Sequence, residues 1–294
     1  MSRVSKRTRK IGLNTLALLV GLVTLFPIFY MVSTAFKPPT EVYSLTPHLL
    51  PAHPTLSNFR TVLNGSALSP AITYWTFLKN SLYVTLTAVV LSSAIALLAS
   101  IAIARFRFRF RTTYLIMLLI VQMLPQQALV IALFIDYRSW TPLGTSNMLD
   151  SLSALILVYT AFALPVTIWM LRNFVAAVPR ELEEAAALDG AGPYKIYWKI
   201  LLPLVAPGLV ATSVFAFIFA YNEFVFALTF LSVDTQKFTL PLYVDYFYGR
   251  SGANWGAIMA ASTLFTIPPM VFFLLVQRRL RAGLIAGADR KSVV

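Results

Sequence analysis

The chain has 294 residues, 58% of them hydrophobic and 12% charged, against about 25% charged in soluble domains. Mean hydropathy is +0.74, and 24 Lys and Arg against 11 Asp and Glu give a formal net charge of +13. These values exclude disorder, a collagen-like fibre and, with no cysteine at all, a disulfide scaffold. His48 and His53 are the only histidines, which leaves no basis for a zinc or thiol centre. Whether the basic excess points to nucleic acid depends on where it sits.

In chain order, Arg3, Lys6, Arg7, Arg9 and Lys10 precede an apolar run over 11–32. This opening looks like a signal peptide, with Ser33 and Ala35 mimicking a cleavage site. The run exceeds the 7–15 residues typical of such a core, so it reads as an uncleaved anchor. Residues 36–77 are long, Pro-rich and weakly periodic, suiting an extracytoplasmic loop. A second run covers 82–104 and is followed by Arg105-Phe-Arg-Phe-Arg-Phe-Arg111. That stretch reads as a short turn with its rings in the membrane interface and its guanidiniums in water. The third run, 114–135, carries Pro125 with Gln122, Gln126 and Gln127 around it. The fourth covers 152–171 and the fifth 204–230, which holds Glu223, the one acidic residue inside any run. The connection at 231–257 bears Tyr243, Tyr246, Phe247, Tyr248 and Trp255, rings that suit interfacial anchoring, stacking on a sugar or contact with a partner protein. The sixth run, 258–276, leads to a basic tail.

About 20 apolar residues of helix cross a bilayer core. Backbone amides in lipid must pair internally, so the six runs predict helices. Eighteen of the 24 cations fall before the first run, between the second and third, between the fourth and fifth, and after the sixth. Lys37, Arg60, Lys79, Arg138, Lys237 and Arg250 fall on the other side. The cationic bias toward the cytoplasm predicts six transmembrane helices with both termini cytoplasmic, in one domain spanning 1–294. Each basic cluster abuts a span end, where it orients the helix and meets anionic lipid, so nucleic acid is set aside. Tyr74, Trp75, Tyr137, Trp140 and Trp169 also lie near span ends and predict an aromatic belt.

The connection over 179–202 departs from a plain loop. Pro179 suits a helix start, and Glu181, Glu183 and Glu184 fall in the opening turns, where the helix dipole favours acids. Ala185, Ala186 and Ala187 add helix propensity and leave a face without bulk. Asp189-Gly190 supplies a turn with a left-handed position for glycine, and a second helical stretch over 194–202 leads into Pro203. The pattern predicts a stiff helix–turn–helix on the cytoplasmic face, a docking element.

At these residues the chain resembles a known family. Glu184-Ala185-Ala186, Gly190, and Ile200-x-Leu202-Pro203 fit EAA-x3-G-x9-I-x-L-P, the mark of permease subunits of binding-protein-dependent ABC importers. Tyr221-Asn222-Glu223-Phe224, Thr239-Leu240-Pro241 and the stretch from Gln277-Arg278-Arg279 to Gly287-Ala288 are similar to the carbohydrate-uptake branch, and to the smaller permease of a maltose-type pair. Tyr221 departs from the Trp common in that branch. The resemblance implies a type I ABC importer permease fold, all-α and integral to the bacterial cell membrane. It implies a coupling role for Glu184, Ala185, Ala186, Asp189, Gly190, Ile200, Leu202 and Pro203, with the helix seated in a cleft of an ATPase. The implied partners are two ATPase subunits, a second permease and an extracytoplasmic solute-binding protein that delivers a sugar.

The chain has no GxxxxGK[ST] loop, so ATP and Mg belong to the partner ATPase and no cofactor is expected here. Candidates for the substrate pathway are Tyr221, Asn222, Glu223, Gln122 and Gln126. An intramembrane carboxylate is a functional candidate by default. At about 1.5 Å per residue, however, Glu223 falls roughly 28 Å along its run, near the outer interface. Two readings stay open: an interfacial carboxylate, or one beside the pathway that accepts sugar hydroxyls or braces a neighbouring helix. Glycerol phosphate or a polyol as the solute also stays open, as do an ion-coupled secondary transporter and a channel, although the chain shows neither an evident repeat nor a charged pore ring.

Overall fold

The computed structural model describes residues 3–64, 72–139, 148–249 and 252–288, with side chains between 9 and 277. Trp140, Arg250, Arg290 and Lys291 lie outside these residues, as do the side chains of Arg3, Lys6, Arg7, Arg278, Arg279 and Arg281. Among the described residues every regular element is helical. Five helices are long and apolar enough to cross a membrane, or six if one bent pair counts as a span. The chain divides into two compact units, Met1–Trp75 with Tyr243–Ile267, and Thr76–Leu242 with Pro268–Val294.

In the first unit, α1 (Arg3–Ala35) is exposed along its apolar length, with none of its hydrophobic window buried. Packing begins only at its end, where Ser33, Thr34 and Ala35 are buried. The described residues of the long segment that follows contain two short helices, α2 (Pro39–Val42) and α3 (Ser57–Leu63), where its weak periodicity predicts a loop. Polar groups pin it. The amide of buried Asn58 donates to Ala35 O and Lys37 O at 2.9 and 2.8 Å, and Lys37 Nζ reaches His48 O at 2.5 Å. Tyr243 donates to Val62 O at 2.6 Å and packs edge-on against Phe247 at 5.1 Å. Tyr243 and Phe247 are therefore core, while Tyr246, Tyr248 and Trp255 stay exposed.

The second unit is built around α7 (Leu152–Ala177), whose apolar window is 61% buried. It packs with most of α4 (Tyr74–Arg105) and with α10 (Leu202–Asn222), and the later part of α13 (Trp255–Ala288) meets α10. Gly208 of α10 lies so close to Phe174 of α7 that any Cβ there would overlap the ring. Polar bonds add to this packing, as Ser100 Oγ donates to Ile168 O at 3.1 Å and Ser93 pairs with Ser213 at 3.1 Å. The α10 and α13 helices meet through Phe217 and Phe272, stacked at 4.1 Å.

Three expectations are corrected. The run at 114–135 is not one helix: α5 (Arg111–Met123) and α6 (Gln126–Ser139) meet at 93°. The ring of Pro125 excludes the α conformation at Leu124, whose φ and ψ are −68° and 125°. The run at 204–230 begins earlier and stops at Asn222, and a separate α11 (Val225–Phe230) follows. The aromatic belt is partial, because Trp75 and Trp169 are exposed but Tyr74 and Tyr137 are buried in packed clusters.

Candidate functional site

The segment predicted to dock a partner forms α8 (Glu181–Leu188), α9 (Pro193–Ile196) and a π turn over Tyr197–Leu201 that feeds α10. The α8 helix has no buried residue. Its C-terminus closes as a Schellman motif: Ala191 N–H donates to Ala186 O at 2.9 Å and Gly190 N–H to Ala187 O at 3.0 Å. Gly190 holds φ +79°, which an L side chain occupies only under strain, while the space around it is open. The backbone, not crowding, is what requires glycine there. Pro203 would press its ring on the carbonyl of Lys199 in a regular helix, and the π turn over that carbonyl relieves the clash.

The named residues separate by burial. Glu184, Ala185, Asp189 and Gly190 are exposed, and Ala186 is half-buried. Leu201 is the residue at the base that enters the core, with Ala104, Val175, Val178 and Val205; Ile200 and Leu202 are half-buried and Pro203 is exposed. Leu182 and Leu188 are 44% and 90% exposed. These two exposed leucines, six residues apart and so about 120° apart around the helix, add apolar surface that the acids and alanines of the segment do not announce.

Arg105 does not lie in water as the arginine-rich run predicts. Its Nη2 is 2.6 Å from Glu183 Oε1 and donates to Val178 O at 3.0 Å, with the side chain 8% exposed. Arg180 reaches the other way, donating to Ala104 O and Arg105 O at 3.1 Å each. Arg107 and Arg109 are exposed as expected.

At the end of α10 the three adjacent polar candidates point to different places. Tyr221 is buried and stacked on Phe217 at 5.4 Å. Asn222 is exposed, with its amide on Ile218 O. Glu223 is buried within the chain, at 9% exposure. Tyr159 of α7 donates to Glu223 Oε2 at 2.7 Å, and the amides of Phe226 and Ala227 donate to its two oxygens at 3.0 and 3.3 Å. The carboxylate therefore satisfies the opening amides of α11 and ties them to α7. Nothing in the sequence marked Tyr159 as its partner.

Gln122 and Gln126 flank the α5–α6 bend and line a cavity of about 430 Å³ together with Asp136, Tyr137, Phe162 and Pro165. Its wall is mainly apolar. The structure thus keeps the Gln122–Gln126 pair and the Tyr221–Glu223 group in separate places within one unit.

Residues 92–285 match the family described as "Binding-protein-dependent transport system inner membrane component". The chain is 42% identical over 277 residues to the diacetylchitobiose uptake system permease protein of Streptomyces coelicolor, covering 94% of this chain and 95% of the relative. It is 35% identical over 276 residues to the trehalose/maltose transport system permease protein of Thermococcus litoralis, covering 92% and 94%. Among solved structures, a chain of a bacterial ABC transporter involved in import of the acidic polysaccharide alginate superposes with a TM-score of 0.75. That likeness is at 23% identity and covers 95% of this chain and 98% of the other, and it shows the same fold.

Proposed function

This chain belongs to the family of binding-protein-dependent transport system inner membrane components, and from that premise we propose that it forms half of the sugar pathway of an ATP-driven importer. It is a membrane-spanning permease subunit. ATP and Mg are handled by two partner ATPase subunits, a second permease completes the pathway, and an extracytoplasmic binding protein delivers the solute. Both termini and α8 face the cytoplasm, in keeping with the cationic bias.

The observation that carries the reading is α8 itself. A short helix with no buried residue, acidic at its start and apolar at Leu182 and Leu188, sits on a rigid Schellman turn directly before a membrane helix. Such a helix passes a rigid-body rotation of its partner into α7 and α10. Glu184, Ala185 and Ala186 let the partner approach closely, and Asp189-Gly190 with Ile200, Leu202 and Pro203 shape the turn and its base. A neutral sugar is favoured over glycerol phosphate because none of the six apolar runs contains a cation to neutralise a phosphate.

The test is co-expression with the neighbouring genes, purification in mild detergent, and uptake of diacetylchitobiose, trehalose and maltose by cells. An ATPase and a second permease should co-purify, and at least one sugar should enter in an ATP-dependent way. Ala186→Asp should abolish that uptake while the protein stays in the membrane. Wild-type uptake in the Ala186→Asp cells, or no co-purifying ATPase, would overturn the proposal.

A further inference from the structure

The backbone joins the α8 loop to α7 on one side and α10 on the other, so those two helices receive any motion of α8 through the chain. The side chains add a third attachment. Arg105 is the last residue of α4, far from the loop in sequence. Its guanidinium holds both Glu183, in the first turn of α8, and Val178 O, at the end of α7, at 2.6 and 3.0 Å. Arg180, at the N-cap of α8, donates to the carbonyls of Ala104 and Arg105. Those are unpaired carbonyls at a helix C-terminus, where a cation is favoured.

The two arginines cross in opposite directions, each gripping the other's element. The Arg105 and Glu183 side chains are only 8% and 16% exposed, so solvent screens their ion pair weakly. Beneath them Ala104, Val178 and Leu201 share one apolar cluster. Of the three glutamates on α8, only Glu183 turns inward, while Glu181 and Glu184 remain exposed for a partner.

We propose that Arg105, Glu183 and Arg180 form a latch that fixes α8 to the end of α4, so that α4 moves with the docking helix as one body. They are positioning residues: they set the angle of α8 and do not touch solute or nucleotide. The inference rests on α8 being the ATPase-docking element, as proposed above.

The absence of cysteine makes a spin-label test direct. Labels at Arg107 and Glu181, both exposed and outside the latch, report the α4–α8 separation in the assembled importer. Spectra are taken without nucleotide and after trapping with ATP, Mg and vanadate. The separation should stay within about 2 Å between the two states. Arg105→Ala should broaden it and make it differ between states. Arg105→Lys, which keeps the charge, should restore a single narrow distance. A wild-type separation that shifts by more than about 5 Å on trapping, or an Arg105→Ala spectrum identical to wild type, would overturn the latch while leaving the transport function intact. Failure of the wild-type assembly to trap nucleotide would instead overturn the docking role, and the latch with it.

Discussion

Two glutamate-bearing stretches of this chain face opposite demands. In α8, Glu181 and Glu184 stand on a helix with no buried residue, held only by its ends. At the end of α10, Glu223 is buried and its two oxygens already accept three hydrogen bonds from within the chain. The first stretch keeps its surface free and spends its order on shape. The second spends its polar capacity on architecture, leaving little with which to bind a solute. An acidic residue in an apolar run thus reads as a site in sequence and as a brace in space, and exposed Asn222 is the better solute-facing candidate of the three adjacent residues.

The comparison can be broken first at Gly190. With φ +79° and open space around it, a β-branched residue is opposed by backbone strain alone. Gly190→Val should lower transport more than tenfold with little change in melting temperature, and Gly190→Asn, which tolerates this conformation, should keep most of it. A large loss of thermal stability in Gly190→Val would mean that the turn is architecture too. At Glu223 the expected pattern is the reverse. Glu223→Ala uncaps α11 and strands the Tyr159 hydroxyl, costing on the order of 2–3 kcal/mol. Tyr159→Phe should cost about 1 kcal/mol. Thermal unfolding in detergent reads both, and the solute KM should be unchanged; a raised KM with unchanged stability would return Glu223 to the pathway.

Gly208→Ala is a smaller test of the bundle. The added methyl must push Phe174 aside, costing about 1–3 kcal/mol and some transport, since α7 and α10 flank the proposed docking loop. The smallest effect concerns a glutamate in neither stretch. Desolvation alone would raise the Glu41 carboxyl, but the amides of Ala52 and His53 and the His53 ring outweigh it and hold it below its ordinary value of 4.5. A carboxyl lowered by folding lends stability above its ordinary pKa and loses it as pH falls through the lowered value. Hydrogen-exchange protection of the Ala52 and His53 amides should therefore be full near neutrality and decline on acidification below about 4.5. Protection that rises on acidification would contradict the clasp.

The sequence made legible whatever depends on runs and local chemistry. The apolar stretches place one end of each of α1, α4, α7, α10 and α13 to within three residues, while the other end differs by six to twelve. Asp189-Gly190 foretold a left-handed glycine that the Schellman turn contains. Illegible were features decided by neighbours. Proline within an apolar run can be absorbed or can break the helix; Pro165 and Pro207 are absorbed, whereas at Pro125 the chain turns by 93°. Arg105 looked like one of four alternating arginines, because nothing local says which of them will meet Glu183. Lys37, counted only as one of six cations on the outer side, is buried over the Tyr30 ring at 4.9 Å. Pairings between residues distant in sequence leave no periodic trace.

The bareness of α1 has a consequence for how the chain is made. Its apolar length is exposed throughout and it packs only through Ser33, Thr34 and Ala35 at its end. Such a helix needs none of the chain's later helices to be stable in lipid, so it can leave the ribosome and settle in the bilayer before its successors exist. Its opening turns carry Arg3, Lys6, Arg7, Arg9 and Lys10, one of the four basic clusters that bias the sidedness of the chain. A helix that contributes little to the finished packing can thus still bias, through its basic end, which face of the membrane α8 meets.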